Sequence, residues 1–291
     1  MNFKELKEYI FNNANNDFVT STKDLQSIIF ALKKADILSL ILEIGAIPED
    51  IRHDSSEEKL FTKASDIIFA KTLMELGLEA KVLTQRSDCA DIIAQSKYHG
   101  YSLVGDAKSI RLSRTAKNVK DFKVNSMISW RGDCDYSVLM HPYFQYPKNS
   151  SQIYKEALNG NVCLFAWEYL YIMLSEGITE TPEVSLSNFW NQSQIIASET
   201  LVINDKRCFL PQQNKNIQKL LNISHERFDK YFTTTTAALT ARGNREIEYW
   251  ESEIKRIKNL NREEAIIELL NSMKLNGKIA TIRQFLKQIQ K

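Results

Sequence analysis

The hydrophobic pattern of this 291-residue chain changes period twice, and that limits the folds open to it. Up to Gly77, apolar residues recur at helical spacing: Leu6, Ile10 and Phe11, then Leu25, Ile28, Ile29 and Leu32 in a segment from about Thr22. Ile47-Pro48-Glu49-Asp50 interrupts the pattern. Ser55 and Glu58 then stand at capping-box spacing, and Leu60, Ala64, Ile67 and Ile68 continue a helix that Gly77 closes. Beyond Gly77 the apolar runs shorten to strand length, at 81–84, 90–94, 101–106, 136–140 and 162–166. His99-Gly100 makes a turn, and helices are predicted over 119–130 and 151–158. From about Ser185 the helical period returns. Ile247, Trp250, Ile254 and Ile257 line one face of a long helix, and Arg262 to Met273 forms another. The pattern predicts an α/β fold, a central mixed sheet flanked by helices with helical N- and C-terminal extensions. We divide it into an N-terminal helical segment 1–55, a core 56–180 and a C-terminal helical region 181–291 packed on the core.

Composition removes several classes of function. Nine glycines and five prolines leave little room for long flexible linkers. The apolar run Ile37–Leu42 is too short to span a bilayer, and the mixed-charge N-terminus lacks the apolar region of a signal peptide, so a cytoplasmic location without membrane contact is expected. Cys89, Cys134, Cys163 and Cys208 form no C-x-x-C pair and read as free thiols rather than zinc ligands. There is neither a G-x-G-x-x-G nor a Walker lysine loop. Trp130, Trp167, Trp190 and Trp250 read as core anchors, and Tyr143-Phe144-Gln145-Tyr146 as core or loop packing.

Net charge is only +2, but Lys97 to Arg131 carries eight basic residues against Asp106 and Asp121, a local +6 that leaves −4 for the rest. One basic stretch on a mildly acidic protein suits a phosphate-contacting face.

Inside that stretch lies the chemistry. Asp106 follows Asp91 by fifteen positions, and Lys108 follows Asp106 by two. If the two apolar strands are antiparallel neighbours, the aspartates converge at one end of the sheet, and Asp106 and Lys108 share a strand face. Asp91 and Asp106, with the Ala107 carbonyl, are hard oxygen ligands suited to Mg²⁺. Such an ion polarises a phosphodiester and acidifies a bound water, while Lys108 orients or deprotonates that water and stabilises charge developing on phosphorus. Glu58 offers a further metal or water contact. A bare D-x-K is common by chance, and the same residues also read as a strand-end salt bridge and a turn cap. The order D, fourteen residues, D-x-K on two apolar strands, behind a helix carrying a glutamate, is more specific.

The segment Asn118 to Lys123 follows directly. Asn118 suits bidentate pairing with adenine, Lys120 and Lys123 donation to guanine, and Asp121 acceptance from the cytosine amino group. Arg111, Arg114 and Lys117 are assigned to phosphates.

Longer strings carry a resemblance. Val104-Gly105-Asp106-Ala107-Lys108-Ser109-Ile110-Arg111-Leu112-Ser113-Arg114-Thr115-Ala116-Lys117-Asn118, with Lys120-Asp121-Phe122-Lys123-Val124, resembles the catalytic segment of the HindIII-type restriction endonucleases, members of the PD-(D/E)XK nuclease superfamily. Glu58-Lys59-Leu60-Phe61, Phe144-Gln145-Tyr146-Pro147, Phe165-Ala166-Trp167-Glu168, Glu248-Tyr249-Trp250 and Arg262-Glu263-Glu264-Ala265-Ile266 match as well. The resemblance covers most of the chain and is weakest between about Glu176 and Arg245. It implies a PD-(D/E)XK core and a homodimer that cuts double-stranded DNA with Mg²⁺ at a palindromic hexanucleotide, AAGCTT. It also implies catalytic Asp91, Asp106 and Lys108, an Asp121 near the DNA, and a cognate methyltransferase linked functionally rather than as a bound partner. One departure stands out: the family pattern has a glutamate before Gln-Arg, whereas Thr84 precedes Gln85-Arg86 here. A repair or nicking nuclease on the same fold, and a non-catalytic DNA-binding scaffold, are the alternative readings.

Overall fold

Four helices precede the first strand: α1 (Phe3–Asn13), α2 (Phe18–Phe30), α3 (Lys34–Ile44) and α4 (Ser56–Glu75). The computed structural model describes residues 1–83, 89–114, 119–147, 151–199 and 209–289. Asn2 caps α1 in a full capping box with Glu5, and Asp17 caps α2. At α4 the expected box is half made. Ser55 accepts from the Glu58 N–H, but the Glu58 carboxylate turns to the Asp54 N–H and to Arg111.

Helix α4 is the central beam of the core. Every residue from Ala64 to Leu73 is buried, as in a helix packed on all sides. Its buried polar groups are mostly satisfied along the helix: Ser65 donates to Thr62 O, Thr72 to Ile68 O, and Lys71 pairs with Glu75. Asp66 is the exception and matters below.

The sheet contains β1 (Glu79–Val82), β2 (Ile92–Gln95), β3 (Ser102–Ala107), β4 (Tyr136–His141) and β5 (Val162–Ala166), in that spatial order. β1, β2 and β3 pair antiparallel, while β3, β4 and β5 run parallel. Parallel neighbours need crossovers. α5 (Val119–Phe122) and α6 (Val124–Trp130) lie between β3 and β4, and α7 (Gln152–Gly160) between β4 and β5. The sequence predicts one helix over 119–130. The structure breaks it at Lys123, whose φ of 48° is left-handed. The parallel strands are buried almost throughout, which explains their continuous apolar runs. One core joins α1 to α4, Leu103 and Ala107 of β3, and the following α8 (Trp167–Ser175). A second core joins Val104, Leu139 and Leu164 to Phe122, Met127 and Ile153. Period-two alternation along β3 thus feeds both faces of the sheet. This is the mixed-sheet α/β fold expected from the sequence.

Gly105 of β3 fits α4 closely. A Cβ there would lie 2.6 Å from Phe69 Cε1 and 2.7 Å from Ile92 Cγ1.

Four further helices complete the larger unit, which runs from Met1 to Gly243: α9 (Ser187–Trp190), α10 (Gln192–Glu199), α11 (Phe209–Leu221) and most of α12 (His225–Lys258). Trp167 and Trp190 are buried in it as expected. The smaller unit, Asn244–Lys291, holds the end of α12, then α13 (Arg262–Ser272) and α14 (Leu275–Ile289). Asn261 and Glu264 form a capping box at the start of α13, and Arg256 pairs with both Glu253 and Glu268. Ile247, Trp250, Ile254 and Ile257 share a face of α12, but Trp250 is 45% exposed rather than a core anchor. Spacing reports which residues share a face; it does not report what covers that face. Among the described residues, no helix is long and apolar enough to cross a membrane, and Cys134 and Cys163 are free thiols.

Candidate active site

Antiparallel register brings the two strand aspartates together. Ile92 pairs with Gly105, and the Asp91 N–H donates to Gly105 O at 3.1 Å, so Asp91 lies opposite the stretch that carries Asp106. Lys108 follows the end of β3, its own N–H tied to Met140 O on β4 at 2.8 Å. Its ammonium reaches back to Asp106, 2.6 Å from Oδ1 and 2.5 Å from Oδ2. Ala107, the last residue of β3, is buried between them.

A third carboxylate arrives from α4. Oxygens of Asp66, Asp91 and Asp106 lie within 4.8 Å of one another. Asp66 and Asp106 are buried, and Asp91 is partly exposed. Among the described residues, Asp66 Oδ1 has no hydrogen-bond partner, and Asp106 Oδ2 has no well-aligned one beyond its ion pair with Lys108. Lys63, one turn before Asp66 on α4, places Nζ 3.3 Å from Asp91 Oδ1, 3.4 Å from Asp66 Oδ2 and 3.1 Å from Leu83 O.

The electrostatics follow from burial. Desolvation raises the Asp106 pKa to about 6; Lys108 opposes that rise and Asp91 adds to it. Asp66 is pushed well above the ordinary carboxylate range, first by burial and then by the charge of Asp91, with Lys63 acting against both. Three carboxylates against two ammoniums make an electron-rich pocket with spare oxygen lone pairs. That donor set fits a hard divalent cation such as Mg²⁺. Neither Asp66 nor Lys63 is singled out by sequence reasoning. No signal in the sequence marks them: the unbroken burial of 64–73, where an unpaired charge is costly, is visible only in the fold.

The other expected site residues fall elsewhere. Glu58 is eight residues before Asp66 on the same helix, about 12 Å along its axis at 1.5 Å per residue. It accepts from Arg111 Nη2 at 2.7 Å instead of joining the aspartates. Arg111 also donates to Pro48 O at 2.9 Å, and its side chain is only 13% exposed. Arg114, half-exposed, places Nη2 2.8 Å from both carboxylate oxygens of Asp121. The Lys123 ammonium lies 5.3 Å from the centre of the Trp130 ring. Lys117, Asn118 and Thr84 lie outside the described residues, as does the side chain of Lys120 in α5.

With this geometry in place, comparison with known proteins is informative. The family model of the HindIII restriction endonuclease matches residues 4–286. The Type II restriction enzyme HindIII of Haemophilus influenzae (strain ATCC 51907 / DSM 11121 / KW20 / Rd) is 42% identical over 287 residues, which cover 99% of this chain and 96% of that protein.

Proposed function

Because the chain belongs to the HindIII restriction endonuclease family, we propose that Asp66, Asp91, Asp106 and Lys108 form the centre with which it hydrolyses double-stranded DNA. Membership makes it a site-specific deoxyribonuclease acting on phosphodiester bonds. The observation that carries the site assignment is the convergence of three carboxylates within 4.8 Å, beside an ammonium tied to one of them.

Asp66, Asp91 and Asp106, with the Ala107 carbonyl, would hold Mg²⁺ in this reading. The ion, when bound, polarises the scissile phosphate and lowers the pKa of a coordinated water. Lys108, kept at Asp106, lies where its charge meets the negative charge building on the phosphate oxygens, and it orients the attacking water. Burial of Asp106 and Asp66 excludes bulk water, which strengthens each of these interactions. Asn118, Lys120, Asp121 and Lys123 read base edges, and Arg114 and Lys117 meet phosphates. Arg111 supports the loop from behind through Glu58 and Pro48, with phosphate contact through whatever part of its guanidinium remains open.

The target is the palindrome AAGCTT, cut within the site on both strands by a homodimer whose twofold axis matches that of the DNA. Digestion of a plasmid carrying one AAGCTT and of a second lacking it, in Mg²⁺, with sequencing of the ends, tests the reading. Linearisation of the first plasmid alone is expected. Discrete cutting of both at another shared sequence overturns the target, a continuous ladder overturns site specificity, and no cutting overturns the catalytic assignment. Sedimentation of the free protein tests the dimer.

A further inference from the structure

Lys63 is the member of this cluster to which the hydrolytic scheme gives no task. Its side chain is 14% exposed, and its ammonium bridges a carboxylate on a helix and one on a strand. The backbone carbonyl of Leu83 holds it from a third direction. Lys108 already pairs with Asp106 at shorter distance, so the carboxylates left to be offset are Asp66 and Asp91, and Lys63 bridges the two and offsets one charge between them. A divalent ion shared by Asp66, Asp91 and Asp106 needs the same oxygens. An ammonium is a compact, strongly hydrated point charge on a flexible stem of four carbons, so it can withdraw without movement of the backbone.

We propose that Lys63 is a built-in counter-cation, a positioning residue that fills the metal-free site by bridging Asp66 and Asp91 and that an incoming divalent ion displaces. The inference rests on the reading of the three aspartates as a metal centre. In the free protein Lys63 holds the helix carboxylate against the strand carboxylate, so mutual repulsion does not open the site. When the ion arrives, Lys63 gives up both contacts and turns outward. The ammonium therefore competes with the metal and lowers its affinity. A tie that merely stabilised the fold would have the opposite effect, since its loss would loosen the cluster and weaken metal binding.

The test is Ca²⁺ binding to the full-length protein by titration calorimetry, without DNA. Lys63→Met is expected to bind Ca²⁺ about tenfold more tightly than wild type, a modest change for one unit charge removed at contact distance. Lys63→Arg, which keeps the charge, is expected to stay within about threefold of wild type. Equal or weaker binding by Lys63→Met overturns the proposal. Asp106→Asn tests the premise separately: unchanged Ca²⁺ binding there removes the metal centre itself, whatever Lys63 does. Reductive methylation of the wild-type protein, read by mass spectrometry, needs no variant to fold. Ca²⁺ is expected to raise labelling of Lys63 several-fold relative to Lys71, which stays paired with Glu75. Labelling that Ca²⁺ leaves unchanged, or lowers, overturns displacement.

Discussion

Arg111 and Glu58 are locked together across fifty-three residues of sequence, Nη2 to Oε1 at 2.7 Å, with both side chains largely buried. The pair ties the loop after the D-x-K segment to the start of α4. Removing one partner leaves the other charged and poorly solvated, at a cost of about 2 kcal/mol. Glu58→Ala is expected to lower Tm by roughly 5 °C in metal-free buffer. Because Glu58 sits about 12 Å along α4 from Asp66, its Ca²⁺ affinity is expected to match wild type. A tenfold loss in a calorimetric titration would instead make Glu58 a ligand.

Asp106→Ala and Lys108→Ala are each expected to reduce cleavage by about a hundred- to a thousandfold, the scale on which removal of one electrostatic stabiliser acts. Specific DNA binding in Ca²⁺, followed by gel shift, is expected to persist. Near-normal turnover in Asp106→Ala would remove it from the reacting centre.

A buried carboxylate raised to about pH 6 also leaves a stability signature. Its unfolded value is near 3.9. The folded state therefore favours the protonated form, and the stability this contributes is complete below the unfolded value and lost as pH rises through about 6. Without metal, Asp106→Asn is expected to melt on the order of 5 °C above wild type at pH 8, with the gap closing near pH 4. Calorimetry at both pH values checks this.

Arg114 and Asp121 neutralise each other in the free protein. If Asp121 reads a base and Arg114 a phosphate, the pair has to part on DNA. Asp121→Ala is then expected to weaken specific cleavage at least tenfold and to leave non-specific binding unchanged or slightly tighter. Arg114→Ala is expected to weaken binding to every duplex and flatten its salt dependence by about one phosphate contact. Titrations on cognate and scrambled duplexes at several salt concentrations separate the two.

What sequence made legible was what neighbouring segments decide. Asp91 and Asp106 are fifteen positions apart on strands joined by the His99-Gly100 turn, and hairpin geometry alone brings them together. The β5 run Val162–Ala166 appeared whole because a strand buried on both faces has no polar interruption. Asp66 and Lys63 were not legible, because they depend on which side of α4 meets the sheet, a tertiary fact. A helix buried all round has no amphipathic stripe to reveal its orientation. The break at Lys123 escaped for a different reason: lysine carries no mark of a left-handed residue as glycine does. Glu58 had the spacing of a capping box, but a buried guanidinium outbid the N-cap for its carboxylate.

Gly105 lies one residue before Asp106 and opposite Ile92, the neighbour of Asp91. Phe69, the aromatic ring on which a side chain at Gly105 would land, is three residues beyond Asp66 on α4. The missing methyl works as a gauge: the thickness of a hydrogen atom sets how near the helix rests on the sheet, and so whether its carboxylate reaches the other two. Two charged clusters could be identical residue for residue and still differ in their grip on a cation because one sheet carried alanine here. In this protein the electrostatics of the centre are inherited from a steric vacancy on an uncharged position.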